Sequence, residues 1–442
     1  MKTDLHPSFT KKVPGPVPER TRWFTAERFG MFIHWGLYAI PGRGEWVRSV
    51  EKISDEAYQV YFNEFNPINF EPKNWARLAR LAGMKYAVLT AKHHDGFCLF
   101  DSQLTDYKST QTPAGRDLVR EFTEAFRAEG LKVGLYYSLL DWHHPHYPAY
   151  GDPYHPLRDN QPLQAETRDF NKYLKYLHGQ VEELLTQYGK IDIMWFDFSY
   201  DKLTGEAWKA TELVAMARSF QPHLLIDNRL GASGEQQNLL TGCLPVYAGD
   251  FACPEQLIPP EGLVDAAGQP FPWESCITLN NHWGYCMADQ DYKSARQIIH
   301  ALVECVSKDG NLLVNVGPDA TGAIPPESIR ILTEVGDWTR KNAAGIYGCG
   351  SVPLPKPEWG RYTRKGNLLY AHIYERGIGP LMLRGLNGKI IKARLLADGS
   401  EIKLERPWNV RDYPEYAFLD FPTSLLPDEI DTVVELELSE IL

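Results

Sequence analysis

Short, unbroken apolar runs alternate along this chain with stretches in which apolar residues recur every three to four positions. "RFGMFIHWGLY" (28–38), "KYAVLTAKHH" (85–94), "LKVGLYYSLLDW" (131–142), "KIDIMWFDFS" (190–199) and "HLLIDNRL" (223–230) read as strands. Between them, "PKNWARLARLAG" places Trp75, Leu78, Ala79 and Ala82 on one helical face, opened by Pro72 and closed by Gly83. "DLVREFTEAFRAEG" has Leu118, Phe122, Ala125 and Phe126 at the same spacing, and "RDFNKYLKYLHGQVEELLTQYG" is a longer helix. "WESCITLN", a helix over 292–310, "NLLVNVGP" and a helix over 325–343 continue the alternation.

Strands alternating with helices predict parallel βα units, and strands that are apolar throughout predict a sheet buried on both faces. At this length a (β/α)₈-like TIM barrel with insertions is favoured over an open doubly wound sheet. No G-x-G-x-x-G follows the first strand, which argues against a dinucleotide fold. The texture changes after residue 347. A Pro-rich connector, "PLPKPEWG", leads into short strand-like runs from "NLLYAHIY" to "TVVELEL", with Asn387-Gly388 and Asp398-Gly399 as hairpin turns. The expectation is a catalytic domain over 1–347 and a C-terminal antiparallel β-sandwich over 348–442.

Composition adds limits rather than detail. The 442 residues are 43% hydrophobic and 23% charged, enough for a large core. A net charge of −11 argues against a nucleic-acid partner, because phosphate binding needs a basic surface. No apolar run is long enough for a membrane span, and the N-terminus lacks the apolar segment of a signal peptide. The seven cysteines are dispersed with no C-x-x-C pair, which reads as reduced thiols in a cytoplasmic protein.

Each barrel strand turns polar at its C-terminal end, where the site of such a fold lies. His34 ends the first, His93-His94-Asp95 the second, Tyr137 to Trp142 the third, Asp197 the fourth, and Asp227, Asn228 and Arg229 the fifth. Asp197, set among aromatics, is a candidate nucleophile or acid, or a helix cap. Glycoside cleavage would need a second carboxyl; metal-assisted hydrolysis would take His34, His93 and His94 as ligands. A non-catalytic sugar-binding protein is a third class.

The segments "RFGMFIHWGLYAIP", "GEWV", "YAVLTAKHHDGFCLF", "GLYYSLLDWHHP", "IMWFDF" and "WESCITLNNHWGY" resemble, in order, the α-L-fucosidases of glycoside hydrolase family 29. The resemblance implies metal-free, cofactor-free, retaining hydrolysis of terminal α-linked L-fucose, with a fucosylated oligosaccharide or glycoconjugate as partner. It leaves a homo-oligomer open. It places the nucleophile at Asp197 of a W-x-D motif, with Phe198 where the family usually has glycine. The sugar-binding positions fall on His34, Glu45, Trp46, His93, His94, Tyr137, Trp195 and Arg229, and Trp283 adds an apolar wall near the C5-methyl group. For the acid/base, Glu255 in "GDFACPEQLIP" is preferred to Glu274, which opens its strand and so sits at the wrong end. His143, His144 and His146 read as a structural loop. His178, His223, His300 and His372 read as surface or helix residues.

Overall fold

The computed structural model describes residues 19–149, 152–160, 168–232, 244–405, 408, 410–421, 423 and 425–442. The N-terminal segment and Cys243 lie outside them.

Among the described residues, seven parallel strands form one sheet: β1 (Phe29–Ile33), β2 (Tyr86–Lys92), β3 (Lys132–Ser138), β4 (Ile193–Asp197), β5 (Leu225–Ile226), β6 (Glu274–Thr278) and β7 (Asn311–Val316). Their order is β5-β4-β3-β2-β1-β7-β6. The edges β5 and β6 are joined through residues 251–255. Phe251 bridges Asp227, while Ala252 and Glu255 bridge Trp273 and Cys276, all in parallel. This segment takes the eighth position of a (β/α)₈-like barrel. It is irregular because Pro254 lacks a backbone donor. Its approach to β5 requires Gly249, at φ 84°, where a Cβ would lie 2.3 Å from the Asp227 carbonyl oxygen.

Alternation along the strands divides the apolar residues into two groups. Phe32, Val88, Tyr136, Ile193, Trp195 and Leu313 pack together inside the barrel. Their neighbours Met31, Ile33, Leu89, Leu135, Tyr137, Met194 and Val314 pack outward with the helices. Those helices start where the sequence marks them. Pro72 occupies the first turn of Pro72–Leu81, Asp117 accepts from the Arg120 amide, and Ser294 with Gln297 makes a capping box.

The C-terminal strands are β8 (Gly360–Lys365), β9 (Leu368–Ile373), β10 (Leu381–Arg384), β11 (Ile390–Leu395), β12 (Lys403–Leu404), β13 (Tyr416–Asp420) and β14 (Thr432–Leu438). They form sheets β11-β14-β9-β8 and β10-β13-β12, sandwiching Leu369, Ile373, Leu383, Leu419, Val434 and Leu436. The Asn387-Gly388 turn is not a hairpin, since it carries the chain from β10 in one sheet to β11 in the other. Asp398-Gly399 does close an antiparallel turn, in which Arg394 bridges Glu401, and another tight hairpin lies at Gly366-Asn367, between β8 and β9. The opposite face of β9 and β14 packs on the barrel helices. There Tyr370 and Val433 join the barrel core, and the Trp338 indole donates to the Asp431 carbonyl. His372 lies in β9, not on a surface or helix. It is fully buried, with Nδ1 2.7 Å from the Asp431 carboxylate.

Candidate active site

A cavity of about 560 Å³ opens at the C-terminal ends of the strands. His34, Glu45, Trp46, His93, His94, Trp195, Asp197, Arg229, Glu255 and Trp283 line it. Tyr137 does not, which corrects the reading made from the sequence. β3 turns Tyr136 inward and Tyr137 outward, where its hydroxyl donates to Gln180 on the helix Phe170–Gln187. The Tyr136 hydroxyl instead donates to Asp197 Oδ2 at 2.8 Å. The cavity wall also holds Phe198, the residue after the W-x-D motif, and Phe32, Tyr154 and Tyr200, which the sequence does not mark.

Asp197 ends β4, and Trp195 shares its inward face because the two are two residues apart on a strand. Besides Tyr136, the carboxylate accepts from Arg229 Nη1 at 2.7 Å and from the Phe198 amide at 2.9 Å. Arg229 Nη2 donates to Glu255 at 2.8 Å, so one buried guanidinium bridges both carboxylates. The same guanidinium lies 4.4 Å over the Trp195 ring. Burial alone would lower the pKa of Arg229, but Asp197 and Glu255 outweigh it and hold the group well above its ordinary value. The Glu255 side chain remains 42% exposed, against 10% for Asp197. The inner carboxylate is thus fixed by three donors, while the outer one faces solvent.

The histidines are neutral hydrogen-bonding groups. Burial pushes His34 and His94 down to about 3 and His93 well below its ordinary value. The Asn315 amide donates to the Trp283 carbonyl, so its oxygen accepts from His34 Nδ1 at 2.7 Å. The Ser138 hydroxyl donates to the Leu140 carbonyl and so accepts from His94 Nδ1 at 2.7 Å. Both rings therefore keep Nε2 as an acceptor. Glu45 is buried and accepts from the Gly284 amide at 2.8 Å; burial raises its pKa.

His93 reaches the cavity because β2 is irregular between Thr90 and Lys92. This shift sends Lys92 outward to Asp141 at 3.0 Å, beneath the Tyr137 ring. Asp141 also accepts from the amides of His143 and His144, which fixes that loop. Among the described residues, no group of three or more His, Cys, Asp or Glu is arranged to hold a metal ion.

Glu274 begins β6, below the cavity and fully buried, and accepts from the Tyr86 hydroxyl. Burial pushes its pKa up to about 8, against the opposing effects of Tyr86 and the Trp195 indole. A carboxyl with a raised native pKa holds its proton more tightly folded than unfolded. The stability it supports is complete below pH 4.5 and is lost as pH rises through about 8. At roughly 1.4 kcal/mol per pKa unit the loss is on the order of 3–5 kcal/mol. Glu274→Gln is therefore expected to match the parent near pH 5 and to exceed its stability by several kcal/mol at pH 9. Urea unfolding at both pH values checks this, and a constant difference between variant and parent would show an ionised Glu274.

Phe198 follows Asp197 with φ 78°, in the left-handed region. That conformation costs a residue with a Cβ roughly 1–2 kcal/mol. It is the backbone geometry that a glycine at this position would adopt without cost.

The α-L-fucosidase family model matches residues 7–344. The chain belongs to the α-L-fucosidase family. The tissue α-L-fucosidase of Homo sapiens is 30% identical over 395 residues, 82% of this chain and 77% of that one. The structure is similar to that of α-L-fucosidase isoenzyme 1 from Paenibacillus thiaminolyticus. The TM-score is 0.93 and the identity 63%, over 96% of this chain and 99% of the other. It is also similar, at a TM-score of 0.82 and 28% identity, to a family 29 α-L-fucosidase from Bacteroides thetaiotaomicron; 97% of this chain and 98% of that one are covered. That enzyme was trapped as a covalent intermediate with 2-fluoro-fucosyl fluoride. As a member of this family the chain is a glycoside hydrolase. Among the described residues no helix is long and apolar enough to cross a membrane.

Proposed function

We propose that this α-L-fucosidase is exo-acting and retaining, and that it removes terminal α-linked L-fucose from oligosaccharides and glycoconjugates. Asp197 attacks C1, and Glu255 protonates the departing oxygen, then takes a proton from the water that releases fucose. The observation that carries this reading is the single guanidinium of Arg229 joining an inner, three-donor carboxylate to an outer, exposed one. The inner group is held in place as a nucleophile, and the outer one can exchange protons with leaving group and water.

The buried polar lining suits the sugar. Nε2 of His34 and of His94 and the carboxylate of Glu45 accept from ring hydroxyls. His93 Nδ1 is buried without a partner among the described residues, and a hydroxyl would satisfy it. Phe32 and Trp283, with centroids 5.8 Å apart, offer an apolar face to the C5-methyl group. Tyr136, whose hydroxyl donates to Asp197, takes the place in the cavity wall that the resemblance gives to Tyr137.

Proton NMR of the first turnovers on an aryl fucoside tests the reading. α-L-Fucose is expected to form first and to mutarotate afterwards; initial β-L-fucose would overturn the double displacement. We also propose a division into residues 1–347 and 348–442, supported by the separate apolar core of the sandwich. A cytoplasmic setting is supported by the unpaired thiols of Cys98, Cys253, Cys276, Cys286, Cys305 and Cys349.

A further inference from the structure

The lining of the cavity falls into two zones. His34, Glu45, His93, His94, Tyr136, Trp195, Asp197 and Arg229 are buried. The partly exposed part of the wall consists of Glu255, Trp283 and four rings: Trp46, Tyr154, Phe198 and Tyr200. The four rings come from the loops after β1, β3 and β4, and they pack around Phe198. Its centroid is 5.3 Å from Trp46, 5.3 Å from Tyr154 and 5.5 Å from Tyr200, edge-to-face with both tyrosines. Tyr154 and Tyr200 also meet edge-to-face, at 5.2 Å. Asp152 fixes the tyrosines from behind, accepting from the Tyr200 hydroxyl and the Tyr154 amide. A bulky side chain held in left-handed backbone persists only where its surroundings impose it, and such outliers cluster at ligand-binding positions. Here that outlier is the centre of the wall, one residue after Asp197.

We propose that Tyr154, Phe198 and Tyr200 form the leaving-group subsite, with Phe198 as its specificity-determining residue and with Trp46, which meets both His94 and Phe198, at its border with the fucose zone. The inference rests on the fucosidase reading above, in which fucose fills the buried zone and Glu255 protonates the departing oxygen. What departs must then occupy the outer zone. The matching chemistry is a pyranose whose C–H-rich face lies flat against aromatic rings, so that apolar area is buried without a demand for particular hydroxyls. The wall therefore selects for a ring-shaped, flat-faced leaving group rather than for one linkage.

The test compares a fucosyl-lactose, whose leaving group is a sugar, with α-L-fucosyl fluoride, whose leaving group has no ring. Phe198→Leu keeps a Cβ and removes the ring. Tyr154→Ala alters a residue that is already 39% exposed and threatens folding less. Each variant is expected to lose about tenfold in kcat/KM on fucosyl-lactose, mostly through KM, which corresponds to about 1.4 kcal/mol of binding. In Tyr154→Ala, fluoride hydrolysis and competitive inhibition by fucose should change by no more than about twofold, because neither ligand reaches a leaving-group wall. The Phe198 amide donates to Asp197 and its ring meets His94 at 4.7 Å, so Phe198→Leu is read by the ratio of its losses on the two substrates. Equal losses on both substrates, or weaker inhibition of Tyr154→Ala by fucose, would show that the rings serve the fucose zone and overturn the subsite. No loss on fucosyl-lactose would overturn it as well. If the parent enzyme hydrolysed neither substrate, the fucosidase reading itself would fall, a result distinct from failure of the wall.

Discussion

Asp197→Gly is expected to lower kcat on any fucoside by on the order of 10⁴-fold or more, the scale of removing a nucleophile. The loss concerns chemistry rather than binding, because the buried imidazoles and Glu45 remain to hold the sugar. Azide should restore part of the rate. The deleted carboxylate leaves space beside Arg229 Nη1 and the Tyr136 hydroxyl, both of which donate to Asp197 in the intact enzyme. A small anion in that space attacks C1 on the face opposite the leaving group, with Glu255 still present as acid. The rescued product is therefore expected to be β-L-fucosyl azide. Near-parental rates without azide would remove Asp197 from its role, and an α-configured azide would show attack from the other side.

The second large effect separates two glutamates. A general acid matters most for a poor leaving group, since a good one departs without its proton. Glu255→Ala is expected to lower kcat/KM on fucosylated oligosaccharides by about 10²–10⁴-fold and on an activated aryl fucoside far less. Water then lacks its base, so the fucosyl-enzyme accumulates. Azide needs no base and should release it as α-L-fucosyl azide, the opposite anomer to that from Asp197→Gly. Glu274→Gln should show no dependence on the leaving group, because its carboxyl lies at the start of β6, bonded to Tyr86 beneath the cavity. A leaving-group dependence in Glu274→Gln and none in Glu255→Ala would exchange the two assignments.

Much of this was legible in the chain itself. Apolar runs bounded by helical spacing defined the parallel strands, because a strand buried on both faces tolerates few polar residues until it leaves the barrel. The polar residues at those exits marked the site. Trp195 and Asp197 had to share a face once "IMWFDF" was a strand. Glu274 stood before its strand's apolar body, and so at the end away from the cavity.

What the sequence left open was decided by contacts distant in the chain. Two adjacent tyrosines in β3 are equivalent in an apolar run, and only the closed barrel determines that Tyr136 faces inward and Tyr137 faces Gln180. Alternation from Tyr86 would have sent Lys92 inward, but the shift against β3 reverses it, bringing His93 to the cavity and Lys92 to Asp141. Glu255 joins the site because the proline-containing stretch 251–255 bridges β5 and β6, although it has no strand pattern of its own. The Asn387-Gly388 turn has hairpin chemistry, yet β10 and β11 find partners in different sheets. In each case the local sequence permits two arrangements of similar backbone energy. Burial of side chains against residues far away in the chain selects one of them.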